Sequence, residues 1–246
     1  MNSSKSANIQ LRVKVFADGA DLDKINLLNQ DPRISGITTN PTLLKQSGVK
    51  NYRNFARKVL ERVTQKSVSF EVFADSPKEM VREAREISSW GSNVFVKIPI
   101  TNTRGVSTSE VIKELVRDGV KINVTAIMTV FQVQTIAPLF HKELESYISI
   151  FAGRIADTGV DPIPVIKEAL SVIEKTGSRS EVIWASPREV LNVVQASQVG
   201  CQIITATPEI IAKMELFGKN LEDYSLDTVR MFHRDAGESG LHVLDR

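Results

Sequence analysis

In the stretch Asn93-Val94-Phe95-Val96-Lys97-Ile98-Pro99-Ile100, a lysine interrupts an otherwise apolar run rich in β-branched residues. Burying an unpaired ammonium costs several kcal/mol, so a desolvated amine tends to shed its proton. Desolvation and nearby cations thus expose the lone pair that attacks a carbonyl. The resulting Schiff base is an electron sink for breaking or making the adjacent C–C bond. Such chemistry also needs an acid/base group for the hydroxyl proton and a means of handling the water of iminium formation. Asp18, ending "VKVFAD", and Glu71, in "VSFEVF", are the carboxylates that fit these two roles. A lysine snorkelling from an edge and a structural ion pair are the competing readings. The flanking Val96 and Ile98 favour a central strand, and Pro99 then breaks it, as at a rim.

Further polar residues fall in or at the ends of similar runs: Asn40, Asn123 with Thr125, Ser149 and Ser186. The runs cover residues 13–18, 34–40, 68–73, 93–98, 120–127, 146–151, 181–186 and 201–206. Amphipathic segments separate them. In 51–65, Phe55, Val59, Leu60 and Val63 share one helical face. Segment 76–90 opens with Ser-Pro, and 161–177 has prolines near its start and Gly177 just past its end. Eight strand-like runs alternating with helices predict an α/β chain folded as a (β/α)₈ TIM barrel, with an open doubly wound sheet as the competitor. Periodicity alone does not show closure. No long linker divides the chain, so residues 13–246 are expected to form one domain behind a loose tail of residues 1–12. The segment 225–246 should begin as a helix, end in a polar tail and pack against a neighbouring subunit. One polar strand end is usually a helix cap. A series that includes a lysine and two carboxylates fits a catalytic floor, since barrel sites are assembled from the C-terminal ends of strands.

Two arginines follow strand ends: Arg154 in "IFAGRIADTG" and Arg188 in "WASPREV". On neighbouring loops they could clamp one phosphate, helped by Ser186 and a helix starting near Pro187. The same features narrow the other classes. A Mg²⁺ ion held by Asp18 and Glu71 is the alternative use of those carboxylates. However, His141, His233 and His242 lie away from strand ends and show no HxH or HExxH spacing. No metal and no cofactor are therefore expected. No GxGxxG or P-loop glycine pattern is present, and the net charge of +2 is spread without a basic stripe, which argues against nucleic acid. Cys201, the single cysteine, reads as a small core residue. The polar opening lacks a signal-peptide core, and no apolar run approaches membrane-spanning length, so no membrane partner and a cytoplasmic location are expected.

The ordered set "ADGADLDKI", "GITTNPTLL", "VSFEVFAD", "VFVKIPIT", "INVTAIMT", "YISIFAGRIAD" and "WASPREV" resembles the transaldolase family over about residues 13–215. The resemblance implies a class I barrel enzyme moving a dihydroxyacetone unit from a ketose phosphate to an aldose phosphate. Lys97 would form the Schiff base, and Asp18 would take the substrate hydroxyl proton. Glu71 and Thr125 would hold the water. Asn40, Asn123 and Ser149 would bind the donor's hydroxyls, and Arg154, Arg188 and Ser186 the phosphate. The sister fructose-6-phosphate aldolases release free dihydroxyacetone and typically carry Gln and Tyr where this chain has Glu71 and Phe151, so transfer is favoured. The chain departs from larger transaldolases in length, and from several relatives in Pro187, which should start the seventh helix early. Compact members tend to form rings, which implies a homo-oligomer. A non-catalytic sugar-phosphate-binding barrel is the reading from another class; it leaves the lysine and two carboxylates unexplained.

Overall fold

The eight apolar runs become eight parallel strands: β1 (Lys14–Asp18), β2 (Ile34–Thr38), β3 (Ser67–Glu71), β4 (Val94–Pro99), β5 (Ile122–Ile127), β6 (Ser146–Ile150), β7 (Ser180–Trp184) and β8 (Ile203–Ala206). Each pairs with its neighbours in sequence, and β1 also pairs with β8, so the sheet closes into a barrel. Closure excludes the open doubly wound sheet. The chain is seen as a computed structural model that describes residues 11–240 and 243. Most of the expected N-terminal tail, His242 and the end of the polar C-terminal tail therefore lie outside the described residues. The barrel unit comprises Leu11–Ala212, and a second unit begins at Lys213.

Helices form where the sequence supplies both a cap and an apolar stripe. Helix Pro77–Ser88 starts with proline in its first turn, is capped by Ser76, and buries Met80, Val81, Ala84 and Ile87. Met80, Val81 and Ile87 each contribute about 1.5–3 kcal/mol through burial. Helix Tyr52–Leu60, capped by Asn51, buries Phe55 and Val59 but ends at Leu60, so Val63 reaches the core from the loop beyond. Helix Pro162–Thr176 is capped by Asp161 and stops at Gly177, whose φ of 63° suits glycine.

Inside the barrel, side chains alternate along each strand. Phe16, Phe95, Tyr147, Ile183, Ala185 and Ile203 fill the centre. Tyr147 stacks on Phe95 with centroids 4.1 Å apart, and Phe16 meets it edge-on at 5.6 Å. Gly36 makes room for this layer, because a Cβ there would lie 2.7 Å from the Phe16 ring. Two residues further along β1, β4 and β6 come Asp18, Lys97 and Ser149, which the period of two carries to the layer above. The register pairs Asp18 with Thr38, Glu71 with Lys97 and Lys97 with Asn123. Strand pairing alone therefore brings the reactive side chains side by side.

In the second unit, helix Leu221–Glu238 is capped by Asn220 and has no buried residue. Leu221, Leu226, Val229 and Phe232 are exposed along it.

Candidate active site

At the C-terminal ends of the strands lies a cavity of about 370 Å³, within the range of small-molecule sites. Ten of the eleven residues singled out in the sequence line it: Asp18, Asn40, Glu71, Lys97, Asn123, Thr125, Ser149, Phe151, Arg154 and Ser186. Larger hollows lie elsewhere, one of them between helices Pro77–Ser88 and Ser109–Arg117, where Arg85 pairs with Glu114 and Asp118. They gather no comparable set of convergent groups.

Lys97 is 6% exposed. Its Nζ donates to Glu71 Oε2 at 2.9 Å and to the Thr39 carbonyl at 2.7 Å. The amine's direct partners are thus a carboxylate and a carbonyl rather than cations. The ion pair sits within the cavity, where an incoming ligand can reach both groups. Glu71 is held from behind: the Tyr52 hydroxyl accepts from its backbone N–H at 2.7 Å and donates to its carbonyl at 3.2 Å. Burial pushes the Tyr52 phenol up, which keeps it a neutral donor.

Asp18 accepts from Thr38 Oγ1 at 2.9 Å and from Asn40 Nδ2 at 3.1 Å. Burial raises its carboxyl above the ordinary range, opposed by Lys97 and by these two hydrogen bonds. Asn40 serves twice, since its Oδ1 also caps the following helix by accepting from Leu43 N–H. Across the mouth, Ser149 donates to Asn123 Oδ1 at 2.7 Å, and Asn123 Nδ2 donates to Ser69 Oγ at 3.1 Å. This fixes the Asn123 amide with one N–H still free to bind a ligand. Thr125 Oγ1 is buried with no protein partner and borders the same cavity as Glu71, a suitable place for a water.

The anion end departs from the sequence expectation. Arg154, in helix Ala152–Asp157, and Ser186 border the cavity; Arg188 does not. Its guanidinium pairs with Asp157 through both Nε and Nη2, the Nε contact being 2.9 Å, and this holds the Asp157 carboxyl below the usual range. The seventh helix also starts later than Pro187 suggested. It begins at Leu191, because Ser186 adopts φ 60° and residues 187–190 run on through bends that end in a turn at Val190. Proline fixes its own φ but cannot extend a helix through a left-handed predecessor. Ser186 and Ala126 are the two non-glycine residues with positive φ among those described, and both border the cavity. Such strain, about 1–3 kcal/mol each, is typical of functional loops.

Thr38, Thr39, Thr205, Ser69 and Tyr52 also contribute to the site and were not foreseen. Their hydroxyls and carbonyl are ordinary strand or helix chemistry until register reveals what they face. Cys201 is buried, with its thiol pushed up to about 12, as a core residue requires. Among the described residues, no group of three or more His, Cys, Asp or Glu side chains is placed to hold a metal ion. No helix among them is long and apolar enough to cross a membrane.

The closed (β/α)₈ barrel is a fold shared with solved structures of low sequence similarity. One is an aldolase designated QR15 (TM-score 0.55, 14% identity, 85% of this chain and 96% of that one). Another is a putative lyase/mutase from Burkholderia cenocepacia (TM-score 0.56, 11% identity, 94% and 85%). Sequence comparison goes further. The family model for Transaldolase/Fructose-6-phosphate aldolase matches residues 15–241. A probable transaldolase of Dehalococcoides mccartyi is 34% identical over 202 residues, covering 82% of this chain and 90% of its own length. One from Methanococcus maripaludis is 35% identical over 217 residues, 87% and 94% respectively. The chain belongs to the transaldolase/fructose-6-phosphate aldolase family.

Proposed function

We propose that this enzyme transfers a dihydroxyacetone unit from a ketose phosphate, such as fructose 6-phosphate or sedoheptulose 7-phosphate, to an aldose phosphate through a Schiff base on Lys97. The observation that carries the reading is the Lys97–Glu71 pair, set by strand register, sharing one cavity with Asp18. Glu71 takes a proton from the ammonium, and the freed amine adds to the ketose carbonyl. Loss of water, assisted by Glu71 and Thr125, gives the iminium. Asp18 then removes the proton of the hydroxyl on the far carbon of the bond to be cut, β to the iminium carbon. The C–C bond breaks, its electron pair flows to the iminium, and an aldose phosphate departs. The enamine left on Lys97 adds to the second aldose, Asp18 returns its proton, and hydrolysis frees the lysine. Asn40, Asn123 and Ser149 bind the donor's hydroxyls, while Arg154 and Ser186 hold the phosphate. Arg188 reaches that anion only by exchanging Asp157 for it.

Glu71 and Phe151 favour transfer over release. A carboxylate rather than an amide handles the water, and a phenyl ring cannot supply the proton that a tyrosine hydroxyl could give the enamine. The test compares fructose 6-phosphate alone with fructose 6-phosphate plus erythrose 4-phosphate. Turnover should depend on the acceptor, with free dihydroxyacetone formed at least about tenfold more slowly than transfer, a barrier difference of about 1.4 kcal/mol. Equal rates would assign the aldolase activity instead.

We also propose a homo-oligomer, supported by the unburied apolar residues along Leu221–Glu238. Light scattering on the eluted protein should give a multiple of 27.3 kDa; a monomer at micromolar concentration would contradict it.

A further inference from the structure

One hydroxyl pair beside Asp18 has no place in the mechanism above. β1 lies between β2 and β8, and Thr38 and Thr205 reach toward each other from those flanking strands. Their Oγ1 atoms are 2.5 Å apart, and both residues are buried. Thr38 Oγ1 is also the 2.9 Å partner of Asp18 Oδ1. A threonine hydroxyl has a single proton, and an ionised carboxylate only accepts. While Asp18 is ionised, Thr38 must therefore donate to it, and Thr205 must donate to Thr38.

The direction cannot survive the reaction. Once Asp18 has taken the substrate's proton and the aldose oxygen it came from has departed, the acid O–H needs an acceptor in the protein. Asn40 cannot be that acceptor, because its Nδ2 only donates and its Oδ1 is committed to Leu43 N–H. Thr38 Oγ1 remains. Accepting there obliges Thr38 to turn its own proton away, and Thr205 Oγ1 is the oxygen within reach. Thr205 lines the cavity, so its displaced O–H can turn toward a ligand. No heavy atom need move.

We propose that Thr205 is a positioning residue acting through Thr38, the two hydroxyls forming a chain that reverses its hydrogen-bond direction each time Asp18 gains or loses the substrate proton. The proton balance is simple: the substrate O–H breaks, the Asp18 O–H forms, and each threonine keeps one proton, only rotated. This rests on the assignment of Asp18 as the base in the proposed function.

The sign of the effect follows from which charge state needs Thr205 most. With Asp18 ionised, removing the Thr205 hydroxyl leaves Thr38 Oγ1 one donor short, a mild loss. With Asp18 protonated, it leaves a buried proton without an acceptor, the costlier defect. Thr205→Val should therefore disfavour the acid form and make Asp18 a weaker base. The other charged groups facing this carboxyl are Lys97 on β4 and Glu71 on β3. Asp21, Lys24 and Glu209 border the adjoining cavity beside it. None of them changes in the variant.

The experiment uses the full-length chain and the variants Thr205→Val, Thr205→Ala and Thr205→Ser. The acid limb of the kcat–pH profile for Thr205→Val should move down by about 0.5–1 pH unit, and its plateau should fall about 3- to 10-fold. Borohydride trapping on Lys97 should be retained, and Thr205→Ser should behave as wild type. An acid limb that stays in place or moves up, or a serine variant that fails to restore it, would overturn the proposal. Thr205→Ala gives the same readout if the valine variant folds poorly. A ¹³C-carboxyl titration of Asp18 without substrate measures the same downward shift. The hydroxyl chain can thus fail while the function stands, and absence of any trapped adduct in wild type sinks the functional reading separately.

Discussion

Lys97→Met should lose essentially all turnover, with kcat reduced by at least about 10⁴-fold, because the proposed iminium forms on this amine. Methionine keeps most of the side-chain volume in the strand while removing the nitrogen. The change also strips Glu71 of its 2.9 Å partner. That carboxylate borders the open cavity, so the cost to stability should stay within about 1–3 kcal/mol. The expected result is a folded protein with an unchanged circular dichroism spectrum. Borohydride with fructose 6-phosphate should leave a three-carbon adduct on wild-type Lys97 and none on the variant. Residual activity above about one per cent of wild type would point to another nucleophile or to a non-covalent route.

Gly153→Ala should be the most damaging change that removes no functional atom. A Cβ at this position would lie 1.5 Å from the Ser186 carbonyl oxygen and 3.2 Å from Arg188 Nε. The first contact is with backbone, so relief requires the loops after β6 and β7 to part. They are also tied by Gly153 N–H donating to the Ala185 carbonyl at 3.3 Å. Ser186 is already at positive φ and has little freedom to yield. We expect a loss of about 3 kcal/mol or more, lowering Tm by roughly 6–12 °C for a domain of this size. KM for the phosphorylated donor should rise more than kcat falls, since Arg154 and Ser186 border the disturbed seam. A variant with wild-type Tm and KM would show that the loops can separate freely.

The sequence carried the skeleton of this site because each reactive residue breaks a pattern. A lysine among valines, or a carboxylate ending an apolar run, is costly enough to stand out. All eight runs lie within a few residues of the observed strands, since apolar stretches of that length have little else to form. What stayed hidden depends on partners far apart in the chain. Thr38 and Thr205 are unremarkable strand threonines until closure places β1 between them. Nothing in the sequence singles out Asp157, yet it occupies Arg188. The late start of the seventh helix follows from a single left-handed serine that no periodicity reports. Tyr52, which nothing in the sequence singles out, brackets the Glu71 backbone.

The packed rings of Phe16, Phe95 and Tyr147, with Phe151 resting on them, act as a stopper in the barrel. The vessel above them is served by its mouth, and ligands arrive and leave at the same end. Under the proposed transfer, the departing aldose and its replacement compete for one berth, so the second sugar must wait until the first has gone. Strict alternation of the two half-reactions is thus imposed by plumbing as much as by chemistry.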